Sequence, residues 1–521
     1  MSHSFAGLTP GGWVTYSITV VIIMLACQII YNAFLHPLSK VLGRFFARVS
    51  GLPSWYSAMS GDRHIWLWQL FQIYGPKVRI TPNTVVFCDP VAYRDIYSNK
   101  ANVQKGPFYE AWQKDEYDVN TFSTREKKVH ARQRKMLNQS FTEQSLLASQ
   151  PFMVKHVDRW IELLVLGTQD GEWSEPMNFA DLSDTLEPGE NPFRVIPHSV
   201  VQYMQFFYPL TRSPMLELIL WLKPGGLDNL FKSITPPHIK NYVNFVQTCV
   251  DKRLALYSEQ KKEAVSAQRQ DMFWFLCDAK DDDGRPAYSD GELHAEANML
   301  IVGGTDTTSL QLAGIMFYLT RDICRLQKLV QEIQSRFQTP EDIVHGPELT
   351  GCTYLRACID ETMRLSPSGP SELPRQVRKG GTIINGDFYQ EGTIVGASGW
   401  ETGHNEDVYG EEVFRPERWI PDEGTGVTQE DVNIFRANFH PFAKGPGSCP
   451  GKNIAILEPS ITIARMLHRL EVRKPPTGEN SLGEGNPNGG WGKRNQNIFQ
   501  IQDSYISVRN GPMVQFKKRR V

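Results

Sequence analysis

No Asp, Glu, Lys or Arg precedes Lys40 in this chain of 521 residues. The missing basic start argues against a secretory signal, which also has a shorter apolar core of about 7–15 residues and a small-residue cleavage site. None of the eight cysteines (Cys27, Cys88, Cys249, Cys277, Cys324, Cys352, Cys358, Cys449) forms a Cys-x-x-Cys pair, so a zinc ribbon or dithiol redox motif has no support. Cysteines this dispersed suit a reducing compartment better than a disulfide scaffold. A basic excess is lacking too. With 55 Lys plus Arg against 57 Asp plus Glu, the net charge is −2, and no nucleic-acid partner is expected.

What is present begins with Trp13–Leu35, uncharged and mostly apolar, long enough to span a bilayer as a helix. The first cations, Lys40, Arg44 and Arg48, follow it and place the body in the cytosol. The expected organisation is a short lumenal stretch 1–12, a transmembrane anchor 13–35, a hinge 36–50 and a catalytic body 51–521. Length alone suggests about three domains at ~150 residues each.

Along the body, Lys77–Ile80 and Asn83–Cys88 read as short strands around a Thr-Pro-Asn turn. Residues 125–473 read as mainly helical, with strands near Gln376–Tyr389 and Gly392–Ser398 and a long apolar helix over Leu293–Leu319. Lys474–Asn497, rich in Gly, Pro and Asn, reads as a loop. Tyr505–Val508 and Met513–Phe516 read as a terminal hairpin.

Four stretches carry chemistry. In the first, Phe442-Ala-Lys-Gly445-Pro-Gly447-Ser-Cys449-Pro-Gly451, a cysteine ends a glycine-rich turn just before a helix. Backbone N–H groups and the helix dipole favour its thiolate there, and the glycines let backbone approach a flat cofactor. Such a thiolate suits an axial haem ligand. In the second, Gly303-Gly304-Thr305-Asp306-Thr307-Thr308, two glycines and an acid interrupt the long apolar helix. They make either a packing notch or room for a ligand beside a widened hydrogen-bond ladder. The third pairs Glu361 with Arg364 at i,i+3, upstream of Phe414-Arg-Pro-Glu-Arg418-Trp419. The fourth aligns His130 with Arg134 at i,i+4, amid Arg125, Lys127, Lys128, Arg132 and Lys135, which form a solvated face or a docking surface.

The spacing Phe-x-x-Gly-x-x-x-Cys-x-Gly resembles the haem-binding signature of the cytochrome P450 superfamily. Tyr31–Ser39 and Tyr74–Ile80 resemble its membrane-bound members from filamentous-fungal secondary metabolism. The resemblance implies a mainly α fold with a small β region, preceded by one transmembrane helix. It implies haem b (iron protoporphyrin IX) bound by Phe442, Gly445 and Gly451, with Cys449 as the axial iron ligand. His130, Arg134 and Arg375 would contact the propionates. Thr307 would serve oxygen activation by hydrogen bonding, and Asp306 would relay protons from solvent. Glu361, Arg364 and Arg418 would form a buried ionic triad. Phe108, Tyr109, Trp112, Phe122 and Gly303 fall where the family builds its substrate pocket.

The implied reaction inserts one atom of O2 into a lipophilic small molecule (a terpenoid, polyketide or alkaloid). Electrons would come from NADPH through a cytochrome P450 reductase, at the endoplasmic reticulum membrane. The alternatives are a reductase-independent isomerase or dehydratase and a non-catalytic membrane-anchored haem-binding protein. Two departures stand out. Gly447 occupies the position where the family usually carries a propionate-binding Arg or His. Within residues 176–200, Leu182–Phe193 replaces an expected apolar helix with breakers, through a deletion or a gene-model error.

Overall fold

Ser289 accepts a hydrogen bond from the Glu292 N–H while Glu292 reaches back to the Ser289 backbone, a capping box that opens a helix of 30 residues. That helix forms the central beam of the computed structural model. The structure describes residues 10–113, 119–166, 168–180, 196–223, 227–262, 271–477 and 480–520. The helices that frame the site are α1 (Pro10–Ile30), α2 (Lys127–Leu137), α3 (Glu143–Leu164), α4 (Ile196–Thr211), α5 (Pro237–Lys262), α6 (Asp290–Leu319), α7 (Ile323–Arg336), α8 (Thr353–Leu365) and α9 (Lys452–Arg469). The main apolar core packs the second half of α6 (Leu310 to Leu319) against α8 and α9, with α3 and α7 outside them. The first half of α6 faces α4 and α5.

The strands are β1 (Lys77–Thr81), β2 (Thr84–Phe87), β3 (Val103–Lys105), β4 (Met177–Asn178), β5 (Arg375–Val377), β6 (Thr382–Ile384), β7 (Asp387–Tyr389), β8 (Ile394–Ala397), β9 (Leu470–Arg473), β10 (Ile501–Ser504), β11 (Ile506–Arg509) and β12 (Met513–Lys518). One sheet has the order β1-β2-β8-β5-β3, with β2 and β8 parallel and the other neighbours antiparallel. Through β3 and β5 it brings Lys105 directly opposite Arg375. The expected helical body, the β1–β2 pair and the long α6 are all present, and the described part of Lys474–Asn497 holds neither helix nor strand.

Two expectations fail. The terminal hairpin does not form. Instead β11 pairs with β10, with Ser504 opposite Ile506 around Tyr505, whose φ is +72°. Past Asn510-Gly511-Pro512, β12 joins β4 and β9 in another sheet. The real turn carries no Gly or Pro, so the sequence offered no sign of it. Nor does the ladder widen at Gly303–Thr308, for α6 is α-helical throughout. Leu182–Phe193 and residues 1–9 lie outside the described residues. Gly11–Leu35 is apolar and long enough to cross a membrane. Asn32, Ala33, His36 and Leu38 are nevertheless buried against the body.

Candidate functional site

One cavity of about 400 Å³ brings together residues from distant stretches of the chain, from Tyr93 to Ile506. Cys449 and Phe442 line one side, with Gly303 and Thr307 of α6 also in the wall. Among the described residues Cys449 is the only cysteine in the lining, and its exposed surface opens into this cavity inside the body. Beyond Gly303 and Gly304 a Cβ would meet nothing within 4 Å. The Thr307 hydroxyl donates to Gly303 O at 2.6 Å.

The loop before α9 is built by local constraints. Cys449 N donates to Phe442 O at 2.8 Å, which closes the turn. Gly445 has φ +68°, and a Cβ there would lie 2.0 Å from Tyr97 O, so only glycine fits. Gly445 and Gly451 therefore shape the loop from outside the lining. Burial pushes the Cys449 thiol up, while the Gly451 N–H and the charge of Arg134 act in the opposite direction. A bound cation would act in the same direction as the Gly451 N–H and Arg134, because its charge favours a coordinating thiolate.

Lys105, His130, Arg134 and Arg375 line the same cavity. Among the described residues none of the four has a carboxylate within ion-pair distance. Arg375 is held by the Tyr109 hydroxyl at 2.8 Å and by Pro374 O at 3.2 Å. Arg134 donates to Ser448 O, beside Cys449, and to Asn138 Oδ1 at 2.9 Å. Lys105 Nζ donates to Thr121 O and Phe122 O at 2.6 and 2.8 Å. Burial lowers the Lys105 ammonium well below its usual range, and Arg375 adds to this. Burial, then Lys105, Arg134 and Arg375, bring His130 down to about 3, so its ring is neutral at pH 7. Uncompensated positive charge around an apolar chamber that also presents a thiol fits a flat iron cofactor with two carboxylates. Nothing in the sequence pattern marked Lys105, because it reaches the cluster only through the pairing of β3 with β5.

The substrate-pocket residues divide. Tyr109, Trp112, Phe122 and Gly303 line the cavity, joined by Tyr505 from the β10–β11 turn. Phe108 does not. Its ring is buried with Ala58 and Tyr208, under the Arg212 guanidinium at 4.3 Å. It supports Tyr109, Trp112 and Tyr505 from behind, at centroid distances of 5.2, 6.1 and 5.1 Å. Asp306 is also absent from the lining. It is buried 3.9 Å from Arg509 of β11, where burial pushes its carboxyl up and Arg509 opposes the shift.

Glu361, Arg364 and Arg418 meet in the core. Arg364 donates through Nε and Nη2 to the two Glu361 oxygens at 2.9 and 2.8 Å, and Arg418 Nε donates to Oε1 at 3.0 Å. The basic face on α2 is less free than its composition suggests. Arg125 pairs with Glu110, Arg132 with Glu292 and Lys135 with Asp282.

Comparison with known proteins bears on this chamber. The family model described as Cytochrome P450 matches residues 215–497. The chain is 30% identical to the cytochrome P450 monooxygenase fscF of Fusarium equiseti, over 98% of this chain and 97% of that protein. It is 32% identical to the cytochrome P450 monooxygenase apf7 of Gibberella fujikuroi, over 97% of each. It is 30% identical to the cytochrome P450 monooxygenase AKT7 of Alternaria alternata, over 97% of this chain and 98% of that protein.

Proposed function

The chain belongs to the cytochrome P450 family, and from that premise we propose that it oxygenates a lipophilic small molecule of secondary metabolism, with Cys449 ligating haem iron. Members of the family bind haem iron and use O2 and a redox partner on small-molecule substrates. The observation that carries the assignment is the single cavity shared by Cys449, Thr307 and the four donors Lys105, His130, Arg134 and Arg375. Haem, when bound, supplies the oxygen-activating chemistry, and the protein supplies placement and protons.

Arg134 and Arg375 would hold the two propionates by charge, and Lys105 and the neutral His130 would add hydrogen bonds. The Gly451 N–H steadies negative charge on Cys449 Sγ. Tyr109, Trp112, Phe122 and Tyr505 bind the apolar substrate and exclude water beside Gly303. Thr307 Oγ1 donates to Gly303 O, and rotation off that bond would let it donate into the cavity. Asp306, behind it, keeps a proton more readily than an exposed carboxyl and can return one to Thr307.

Electrons come from NADPH through a membrane-bound cytochrome P450 reductase that docks on the α2 face, where Lys127 and Lys128 are exposed. The apolar helix Gly11–Leu35 holds the protein at the endoplasmic reticulum membrane with its body in the cytosol. The deciding experiment is the spectrum of the dithionite-reduced, CO-bound protein. Wild type gives the red-shifted thiolate band and Cys449→Ala loses it. Absence of the band in folded wild type, or its survival in the variant, overturns the assignment.

A further inference from the structure

Glu296 lies on α6 about two turns before Gly303 and is fully buried. One of its oxygens, Oε1, accepts from the Thr121 N–H at 2.6 Å and from the Thr121 hydroxyl at 2.5 Å. Beside it, Asn120 Nδ2 donates to Ala295 O at 3.3 Å, so the loop is tied to α6 at two successive residues. The next peptides are tied from elsewhere, because Thr121 O and Phe122 O accept from Lys105 Nζ. Asn120 Oδ1 closes the turn by accepting from Phe122 N and Ser123 N at 3.0 and 2.9 Å.

Asn120, Thr121 and Phe122 all line the cavity. A cavity wall made of loop needs such anchors, since a loop has no ladder of its own to fix its position. Among the described residues the other carboxylate oxygen of Glu296 is buried without a partner, so the residue bears a desolvation cost that a merely space-filling side chain would avoid.

We propose that Glu296 is a positioning residue that fixes the Asn120–Phe122 wall and thereby sets the size of molecule the cavity accepts. The proposal rests on the reading of this cavity as the haem and substrate chamber. Glu296 acts through Thr121 and touches neither substrate nor cofactor. The same loop is gripped by Lys105, one of the four donors, so the wall and the propionate-holding end of the chamber are braced together.

Two measurements on the full-length protein test it. The first is hydrogen exchange of the 119–124 segment, compared between variants in their haem-free form. The second is the ratio of dissociation constants for 4-phenylimidazole and imidazole, a bulky and a small probe. Glu296→Ala speeds exchange in this segment and raises the ratio about tenfold, the loss expected for a hydrogen bond to a charged group. Glu296→Gln, whose amide oxygen can still accept both bonds from Thr121, restores both readouts. Thr121→Val, which keeps the N–H bond, shifts the ratio less than Glu296→Ala. Unchanged exchange in Glu296→Ala, or Gln behaving like Ala, overturns the proposal. Should the alanine variant not fold, Glu296→Gln must still exchange like wild type and Thr121→Val faster than both, and any other order overturns it. The CO-bound spectrum of wild type judges the haem reading separately.

Discussion

The indole Nε1 of Trp419 donates to Glu361 Oε2 at 3.0 Å. A phenylalanine at this position could not make that bond, because its ring carries no donor. Glu361 also accepts from Arg364, from Arg418 and from the Arg415 N–H, so both oxygens are saturated in a fully buried site. Burial works against its carboxylate, yet Arg364 and Arg418 hold it below the usual range. Trp419→Phe keeps most of the ring and loses one bond to a charged group, and is expected to cost about 1.5–3 kcal/mol. Glu361→Gln leaves two guanidinium groups undercompensated, and is expected to cost ~3–5 kcal/mol. Denaturant unfolding of the three proteins gives the order, and a neutral Trp419→Phe would show the bond to be dispensable.

Gly447 leaves room that Arg375 uses. A Cβ on Gly447 would lie 2.7 Å from Arg375 Nη2. The guanidinium supplied from β5 thus stands where the usual side chain of the loop would begin. Gly447→Ala makes the Arg375 guanidinium shift, which strains its bonds to Tyr109 and Pro374, and haem is expected to leave about 2–10 times faster, the loss of one ordinary hydrogen bond. Transfer of haem to an apo-globin acceptor measures this. An unchanged rate would mean that Arg375 does not hold the cofactor through this geometry.

Local spacing made part of the site legible. Glu361 and Arg364 fall on one helix face because they are three residues apart, and Cys449 stands out because its turn restricts the residues around it. The rest depends on chain segments that sequence separation hides. Lys105 meets Arg375 through strand pairing, Glu296 meets Thr121 across 175 positions, and Tyr505 enters the cavity on a turn without Gly or Pro. Phe108 shows the opposite error. Its neighbours in sequence line the cavity, but an aromatic run cannot reveal which ring faces a ligand and which faces the core.

Burial pushes the Glu296 carboxyl up to about 7, against its hydrogen bonds from Thr121 and the charge of Lys105, with Glu292 adding to the rise. Tyr288 is the other titratable group close enough to sense it. A raised folded-state value means that the native chain binds more protons than the unfolded chain above the ordinary carboxyl range. This contribution to stability is therefore full at low pH and lost as pH rises through about 7. Glu296→Gln does not titrate. The stability of wild type relative to Gln is expected to fall between pH 5 and 8 by about 1 kcal/mol per pH unit at its steepest. A constant difference across that range would mean the carboxyl titrates normally.

Thr307 and Asp306 separate two functions on one turn of α6. Thr307 faces the cavity, and Asp306 faces Arg509. Thr307→Ala is expected to divert oxygen consumption into peroxide release with substrate binding intact. The ratio of product to NADPH consumed reads this, and unchanged coupling would remove the role proposed for the hydroxyl.

The boundary between anchor and body follows from Arg79. Its side chain is fully buried, with Nη1 donating to Asn32 O at 2.9 Å and to Leu38 O at 3.3 Å. Burial brings the guanidinium down to about 10, and neighbouring Arg48 adds to that. Arg48 in turn donates to Ala33 O and Ser39 O at 2.9 and 2.8 Å. Residues 31–39 therefore end the apolar helix and also provide acceptors for two arginines of the body. Deleting residues 1–30 removes most of the apolar span and keeps all four acceptors, so the product is expected to be less membrane-bound and as stable as the full chain. Deleting residues 1–40 strands Arg79 with only its bonds to Pro82 O, and is expected to cost several times the ~1 kcal/mol of a single bond. Thermal unfolding of the two truncated proteins in one detergent-free buffer compares them directly, and equal midpoints would show that the 31–40 segment adds nothing to the body.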